Sequence, residues 1–342
     1  MMNGERIRQG EPTKRPTRIL VTGGAGFIGA NLTRMLLKHN YQVTVLDNLS
    51  TGFPGYIDGL PLKFFQGDIL DTTFVNEIVP AHDAVVHLAA QTGVPGSLAD
   101  PRQDCQVNVM GTINLLEAIR RVALSNRRST NGITKFIFAS SNAPLGRQSP
   151  PATEDKVPLP ISPYGASKLA GEAYCQAYHG SWGLGTVALR FANVYGPYSI
   201  HKQSVIAKFF KDIMAKGEIN IDGDGHQTRD FIYVDDLCRA ILLAMTTEVS
   251  GEVFQIATGV ETSILELADL VQQVTVAKPK VFYKPPRKGD IHRNYSSITK
   301  VIKLLKWKPQ VSLAEGIRKT WQWFEEWFSD GEKRVRKGGL TK

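Results

Sequence analysis

The stretch Tyr164, Gly165, Ala166, Ser167, Lys168 sets a phenol and an ammonium four residues apart, on one face of any helix that carries them. A free tyrosine titrates near roughly 10 and is a poor base at neutral pH; a cation within about 4 to 6 Å lowers that value by about 1 to 3 pH units. The pair therefore suits proton exchange with a hydroxyl, and Lys168 is expected to make Tyr164 more acidic. Such a pair also falls by chance on many helices, so its meaning depends on what surrounds it.

A second group of residues supplies that setting. Gly23, Gly24, Ala25, Gly26, Phe27, Ile28 and Gly29 follow directly on the apolar run Arg18 to Thr22 and lead into a helical pattern near Ala30. A glycine turn between strand and helix lets the backbone approach a pyrophosphate without a Cβ clash, while free amides and the positive helix end neutralise the phosphates. The glycines fall at Gly23, Gly26 and Gly29. Asp47 ends the next apolar run, eighteen residues after Gly29, where a carboxylate accepts hydrogen bonds from an adenosine ribose. It would repel a 2′-phosphate, and Asn48, Leu49 and Ser50 bring no arginine to attract one, so NAD is predicted over NADP. A positive nicotinamide would add to the effect of Lys168 on Tyr164. Asp68 and Ile69, after the third strand, can bracket an adenine, with an exposed turn as the other reading.

Elements that could position these groups alternate along the chain. Arg18 to Thr22, Gln42 to Asp47, Ala84 to Leu88, Lys135 to Ala139 and Thr186 to Arg190 read as buried strands, with amphipathic stretches such as Pro101 to Ser125 and Pro163 to Trp182 between them. Strand–helix alternation implies βαβ units, hence an α/β fold with a Rossmann-type doubly wound parallel sheet. After Pro197 the pattern changes. A helix near Val205 to Lys216, a strand near Glu218 to Ile221, a turn at Asp222 to Gly225 and helices at Ser263 to Val274 and Leu313 to Phe328 predict a second, smaller mixed α/β lobe. Trp321, Trp323, Phe324 and Trp327 are expected to seal it as core. The NAD-binding unit is thus placed at 17–197 plus about 228–258, the substrate unit at about 198–227 plus 259–330, and flexible tails at 1–16 and 331–342.

Composition narrows the classes. The chain has 342 residues, 42% hydrophobic and 21% charged, and no apolar run long enough to span a bilayer, so no membrane segment is predicted. Met1 to Arg18 lacks the apolar stretch of a secretory signal. Cys105, Cys175 and Cys238 show neither paired nor metal-ligand spacing, which argues against disulfides and a metal site and for a reducing cytoplasm. Part of the net charge of +9 sits at the chain ends, at Lys333, Arg334, Arg336, Lys337 and Lys342 among others. It suits a phosphate-bearing substrate as well as nucleic acid, and no nucleic-acid partner is predicted.

In combination, Gly23 to Gly29, His87 to Ala90, Asn108 to Gly111, Tyr164 to Lys168, Asn193 to Pro197 and Arg229 to Val234 resemble the extended short-chain dehydrogenase/reductase family. The likeness is to its branch of NAD-dependent nucleotide-sugar epimerases and dehydratases and covers about residues 17 to 328. It implies that Tyr164 exchanges a proton with a sugar hydroxyl, that Lys168 also holds the nicotinamide ribose, and that Ser141 is the catalytic serine, shortening the proton path. The implied cofactor surface adds Phe27, Ile28, Asn48, Ser50, Thr51 and Gly52, and from later motifs Leu88, Ala89, Ala90, Asn108 and Ser140. On the substrate side the resemblance implies Asn193 and Val205, with Arg229 and Arg287 on the diphosphate and Asp290 on the nucleotide ribose. Asn294 falls where the family carries a residue that gates the 2-acetamido group, and is of intermediate size.

Two departures from the family pattern matter. Pro144 and Leu145 stand where a residue and a tyrosine usually precede the glycine of this loop. Asn142 and Ala143 stand where dehydratases of the branch place an Asp–Glu pair and decarboxylating members a glutamate at the second position. Without those carboxylates a site can oxidise and re-reduce C4 but lacks the means to move protons for elimination, so epimerisation is the expected activity. A UDP-sugar is the commonest ligand of the family it resembles, and Asn193 resembles the hexose and N-acetylhexosamine enzymes, which implies UDP-glucose/UDP-galactose or the N-acetyl forms. The competing expectations are a dehydrating or decarboxylating lyase, including one for uronates, and a non-catalytic NAD-binding protein on the same fold. Pairing of two copies through Pro101 to Ser125 and Pro163 to Trp182 is the implied homodimer.

Overall fold

The computed structural model describes residues 16–125, 134–275, 278–286 and 291–337, and side chains as far as 329. Its central sheet has seven strands: β1 (Arg18–Thr22), β2 (Gln42–Asp47), β3 (Lys63–Gln66), β4 (Ala84–His87), β5 (Lys135–Ser141), β6 (Thr186–Phe191) and β7 (Glu252–Ile256). They lie in the order β7–β6–β5–β4–β1–β2–β3 and every pairing is parallel. Successive residues of a strand face opposite sides, so Ile19 and Val21 enter one apolar cluster and Leu20 the other. Both faces are covered, which is why the inner strands read as unbroken apolar runs. The edge strand β3 is exposed along its length.

Eight helices carry the argument: α1 (Phe27–Lys38), α2 (Pro101–Cys105), α3 (Gly111–Ser125), α4 (Pro163–Trp182), α5 (Val205–Lys216), α6 (Val234–Thr246), α7 (Ile264–Thr275) and α8 (Leu313–Lys337). Sequence periodicity predicts one helix over Pro101 to Ser125. The structure breaks it with a π turn at Gln106–Met110 between α2 and α3. Asn108 sits in that turn, and the wider winding re-aims its side chain off the regular helical face. Pro163–Trp182 forms as predicted: the Ser162 hydroxyl accepts from Gly165 N and Pro163 occupies the first turn, while Gly183 at φ 71° ends it.

Beyond β6 the chain builds three short two-stranded pairings, of which Glu218–Asp222 with Lys280–Lys284 is parallel and lies beside α5. Phe210, buried completely, packs edge-on against Trp321 at 5.2 Å and Phe324 at 5.3 Å. Trp323 stacks on Trp327 at 5.2 Å, and both meet Tyr56 on the loop after β2. Trp321 and Phe324 are thus core, as expected, while Trp323 and Trp327 are half-buried and brace the loop that follows Asp47.

Candidate active site

The chain runs β1–β2–β3 to one side of β1 and then crosses to β4 on the other, so a crevice opens at the carboxyl ends of β1 and β4. Gly23 lies in it at φ +71°, and a Cβ there would come within 2.6 Å of Ala89 N. On Gly29 a Cβ would stand 2.3 Å from Gly23 O. Only glycine permits this tight turn into α1, whose cap residue Gly26 offers no side chain over the helix amides. Asp47 clasps the turn from β2: its Oδ2 accepts from Ala25 N at 3.0 Å and its Oδ1 from Leu49 N at 2.9 Å. Burial holds the Asp47 carboxyl above its usual range, and those two amides oppose the shift. Each oxygen keeps a lone pair for a ribose hydroxyl.

Around this cradle Ser50 and Thr51 are exposed and Gly52 half-buried, and a Cβ on Gly52 would meet Asp47 Oδ1 at 2.7 Å. Asn48 donates to Asp68 Oδ2 at 2.9 Å, and Asp68 Oδ1 accepts from Leu70 N, so both candidates of the adenine rim form one turn. Ile69 is buried against Gly111. Phe27 is buried and Ile28 partly so at the start of α1. The cleared glycine cradle, open helix end and acceptor carboxylate fit a dinucleotide.

Opposite the cradle, Leu88, Ala89 and Ala90 follow β4, and Asn108 locks that segment. Its Oδ1 accepts from Gln91 N at 2.8 Å, while Nδ2 is shared among Gln91 O, Asp104 Oδ1 and Ser167 Oγ at 3.0 to 3.1 Å. His87 is buried between Thr22 Oγ1 at 2.8 Å and Thr112 Oγ1 at 3.0 Å. Thr112 spends its proton on Asn108 O, so His87 Nε2 must donate and Nδ1 must accept. Burial, with Lys168 nearby, pushes His87 down to about 3 and keeps it neutral.

The catalytic candidates converge from β5 and α4. Ser141 ends β5, its Oγ accepting from Ala143 N at 3.1 Å and hydrogen-bonded to Tyr164. Lys168 is buried, donates to Ala139 O at 2.8 Å, and has its Nζ 6.0 Å from the Tyr164 ring centroid. Burial drives the ammonium down to about 8, with Asp104 and Glu172 opposing. Contrary to expectation, the Tyr164 phenol is pushed up rather than down: burial dominates, Asp104 adds to it, and only Ser141 opposes. Lys168 is not among the groups that lower the phenol, so acidifying it falls to charge beyond this pair. Ser140, a cofactor candidate, turns into the core instead and donates to Glu172 Oε1 at 2.5 Å.

On the substrate side Asn193, Val205 and Arg229 share a cavity of about 210 Å³, lined also by Lys208, Asn220 and Gln227. Asn193 Nδ2 donates to Asp230 O at 3.1 Å, and Arg229 Nη1 to Thr228 O and Ile291 O at 2.7 Å each. Arg287 and Asp290 lie outside the described residues. A larger cavity, about 660 Å³, opens among Arg18, Tyr41, Leu62, Phe74 and His82, at the amino-terminal ends of β1 and β2. The reacting groups sit at the carboxyl ends, where open α/β sheets bind ligands, and so lie away from this larger cavity. Among the described residues no His, Cys, Asp or Glu group could hold a metal ion, and no helix is long and apolar enough to cross a membrane. Asp104, Ser167 and Glu172 are members of the site that motif reading passes over. Asp104 and Asn108 one turn apart, and Ser167 beside Lys168, were the available signals.

Fold and site together define a Rossmann-type, dinucleotide-dependent enzyme. The chain belongs to the NAD-dependent epimerase/dehydratase family, whose model matches residues 19–257, and NAD is its cofactor. It is 38% identical over 312 residues to a putative UDP-glucose 4-epimerase of Methanocaldococcus jannaschii, covering 90% of this chain and 98% of that one. It is 35% identical over 324 residues to a dTDP-glucose 4,6-dehydratase of Streptomyces niveus, covering 90% and 93%. Among solved structures, UDP-glucose 4-epimerase of Thermotoga maritima with UDP-glucose superposes with a TM-score of 0.84 at 37% identity, covering 91% of this chain and 99% of that one.

Proposed function

We propose that the chain is a nucleotide-sugar 4-epimerase, acting on UDP-glucose and UDP-galactose or their N-acetyl forms. The observation that carries this reading is the loop after Ser141. Asn142 and Ala143 occupy it, with Asn142 Nδ2 tied to Ser296 Oγ at 3.0 Å, and no carboxylate stands there to expel water or a carboxyl group. Similarity at 38% to a putative UDP-glucose 4-epimerase and 35% to a dTDP-glucose 4,6-dehydratase leaves the choice to these residues.

Gly23, Gly26 and Asp47 hold the cofactor, with Lys168 and the Leu88 to Ala90 segment at its nicotinamide end. NAD, when bound, supplies reversible oxidation at the sugar carbon and a positive ring that favours the Tyr164 phenolate. Tyr164 takes the proton of the C4 hydroxyl, Ser141 shortens its path, and Tyr164 returns it after the ketone has turned its other face. Asn193, Val205 and Arg229 grip the nucleotide end, with Arg287 and Asp290 completing that grip, so the sugar rotates without leaving. The cofactor unit spans 17–197 and about 228–258 and the substrate unit the remainder to 330. A second copy docks along Pro101 to Ser125 and Pro163 to Trp182, where Met110 and Tyr174 are exposed.

The test is incubation of purified protein with a panel of UDP-sugars and product identification by NMR. Interconversion of a C4 epimer pair at constant mass is expected, falling at least about 100-fold in Tyr164→Phe. A product lighter by water or CO2, or full turnover by Tyr164→Phe, would overturn the reading.

A further inference from the structure

Asp104 is a carboxylate with 1% exposure that neither binds the cofactor cradle nor touches the substrate cavity. It is the last residue but one of α2, just before the π turn, and its Oδ1 accepts from Asn108 Nδ2 at 3.0 Å. The same amide reaches Ser167 Oγ at 3.1 Å, and Ser167 Oγ in turn donates to Tyr164 O at 3.1 Å. Ser167 lies between Tyr164 and Lys168 on α4, so the network ties a buried negative charge to the stretch of helix that carries both proton-handling groups. We propose that Asp104 is a positioning residue whose buried charge, anchored through Asn108 and Ser167, sets the pH range over which Tyr164 and Lys168 exchange protons.

Other charge near this carboxylate is sparse. On α2 its neighbour Arg102 is exposed, as is Asp100 at the helix cap, which accepts from Gln103 N. Val94–Ala99, Gln106–Met110 and the first turn of α3 carry no ionisable side chain, and Glu117 further along α3 is held by Arg120 and Tyr178. His87 on β4 is neutral. On α4, Glu172 is neutralised by Arg190 of β6, at 2.7 Å with both side chains 4% exposed. On β5, Lys135 is spent on Val249 O and Ser250 Oγ. Tyr164 and Lys168 are therefore the groups that feel Asp104, and its charge holds a proton on each of them more firmly. Burial pushes Asp104 itself up, while Ser167 and Lys168 oppose this and favour its ionised form.

Removing that charge has a signature that lost packing does not. In Asp104→Asn the phenol ionises more readily, moving the acid limb of the activity profile down. The ammonium also gives up its proton more readily, so the alkaline limb moves down with it. The whole bell is expected to slide to lower pH by about 1 unit. A fall in kcat at every pH with fixed limbs would overturn the proposal, as would limbs moving apart. Asp104→Ser, neutral and smaller, repeats the test where the amide fails to fold.

The kinetic arm rests on the proposed epimerisation. A second arm does not: 13C NMR titration of the Lys168 ε-carbon in the NAD-loaded protein, wild type against Asp104→Asn, uses no substrate. A lower Lys168 midpoint in the variant is expected, and an unmoved one refutes the proposal whatever the sugar proves to be.

Discussion

Glu172→Gln should destabilise the protein by about 3 to 5 kcal/mol, although it changes one atom. Glu172 Oε1 accepts from Ser140 Oγ at 2.5 Å and Arg190 Nε at 2.8 Å, and Oε2 accepts from Arg190 Nη2 at 2.7 Å. Both partners of the ion pair are 4% exposed, so water screens little of it. A glutamine can accept at one of these oxygens only. Its NH2 must then face an arginine N–H or the serine hydroxyl, and the guanidinium loses its buried counter-charge. The assay is urea unfolding of the NAD-free protein, because bound NAD would add stabilisation of its own. The midpoint should fall with an unchanged slope, and Tm should drop by about 5 to 10 °C. Glu172→Gln with Arg190→Met should regain most of the loss, since no charge then stays buried without a partner. A cost below about 1 kcal/mol would refute the reasoning, because it would mean the pair behaves as one at the surface.

Further outcomes follow from the same geometry. Asp47→Ala removes both the ribose acceptor and the clasp on Ala25 N and Leu49 N, so NAD affinity by calorimetry should fall at least about 10-fold, without any gain for NADP. An unchanged Kd would show that the glycine turn needs no clasp. His87 titrates at about 3 when folded against 6.5 for the free side chain, so the stability it contributes is complete above about 6.5 and is lost as pH falls from there toward 3. The slope is about 1.4 kcal/mol per pH unit, and His82, also lowered by burial, acts in the same direction. Urea unfolding at pH 7 and pH 5 should show a shallower acid loss in His87→Gln; equal losses would place the histidine's proton elsewhere.

Local chemistry in the chain determined the strands β1, β2, β4, β5 and β6, because a sheet covered on both faces demands apolar runs. It also determined the glycine turn, where three glycines, a strand and Asp47 in register leave few other uses for that backbone. Helix α4 was readable to the residue from Ser162, Pro163 and Gly183, since capping acts within one turn. What tertiary structure decided was everything that depends on residues distant in sequence and close in space. Spacing put Lys168 beside Tyr164 but could not say that the ammonium would reach for Ala139 O, or that burial would hold the phenol up. The π turn at Asn108 has no periodic signal, being held by Gln91 and Ser167 from outside its own helix. Ser140 and Ser141 adjoin in sequence, yet alternate side-chain direction along β5 sends one to Glu172 in the core and the other to Tyr164.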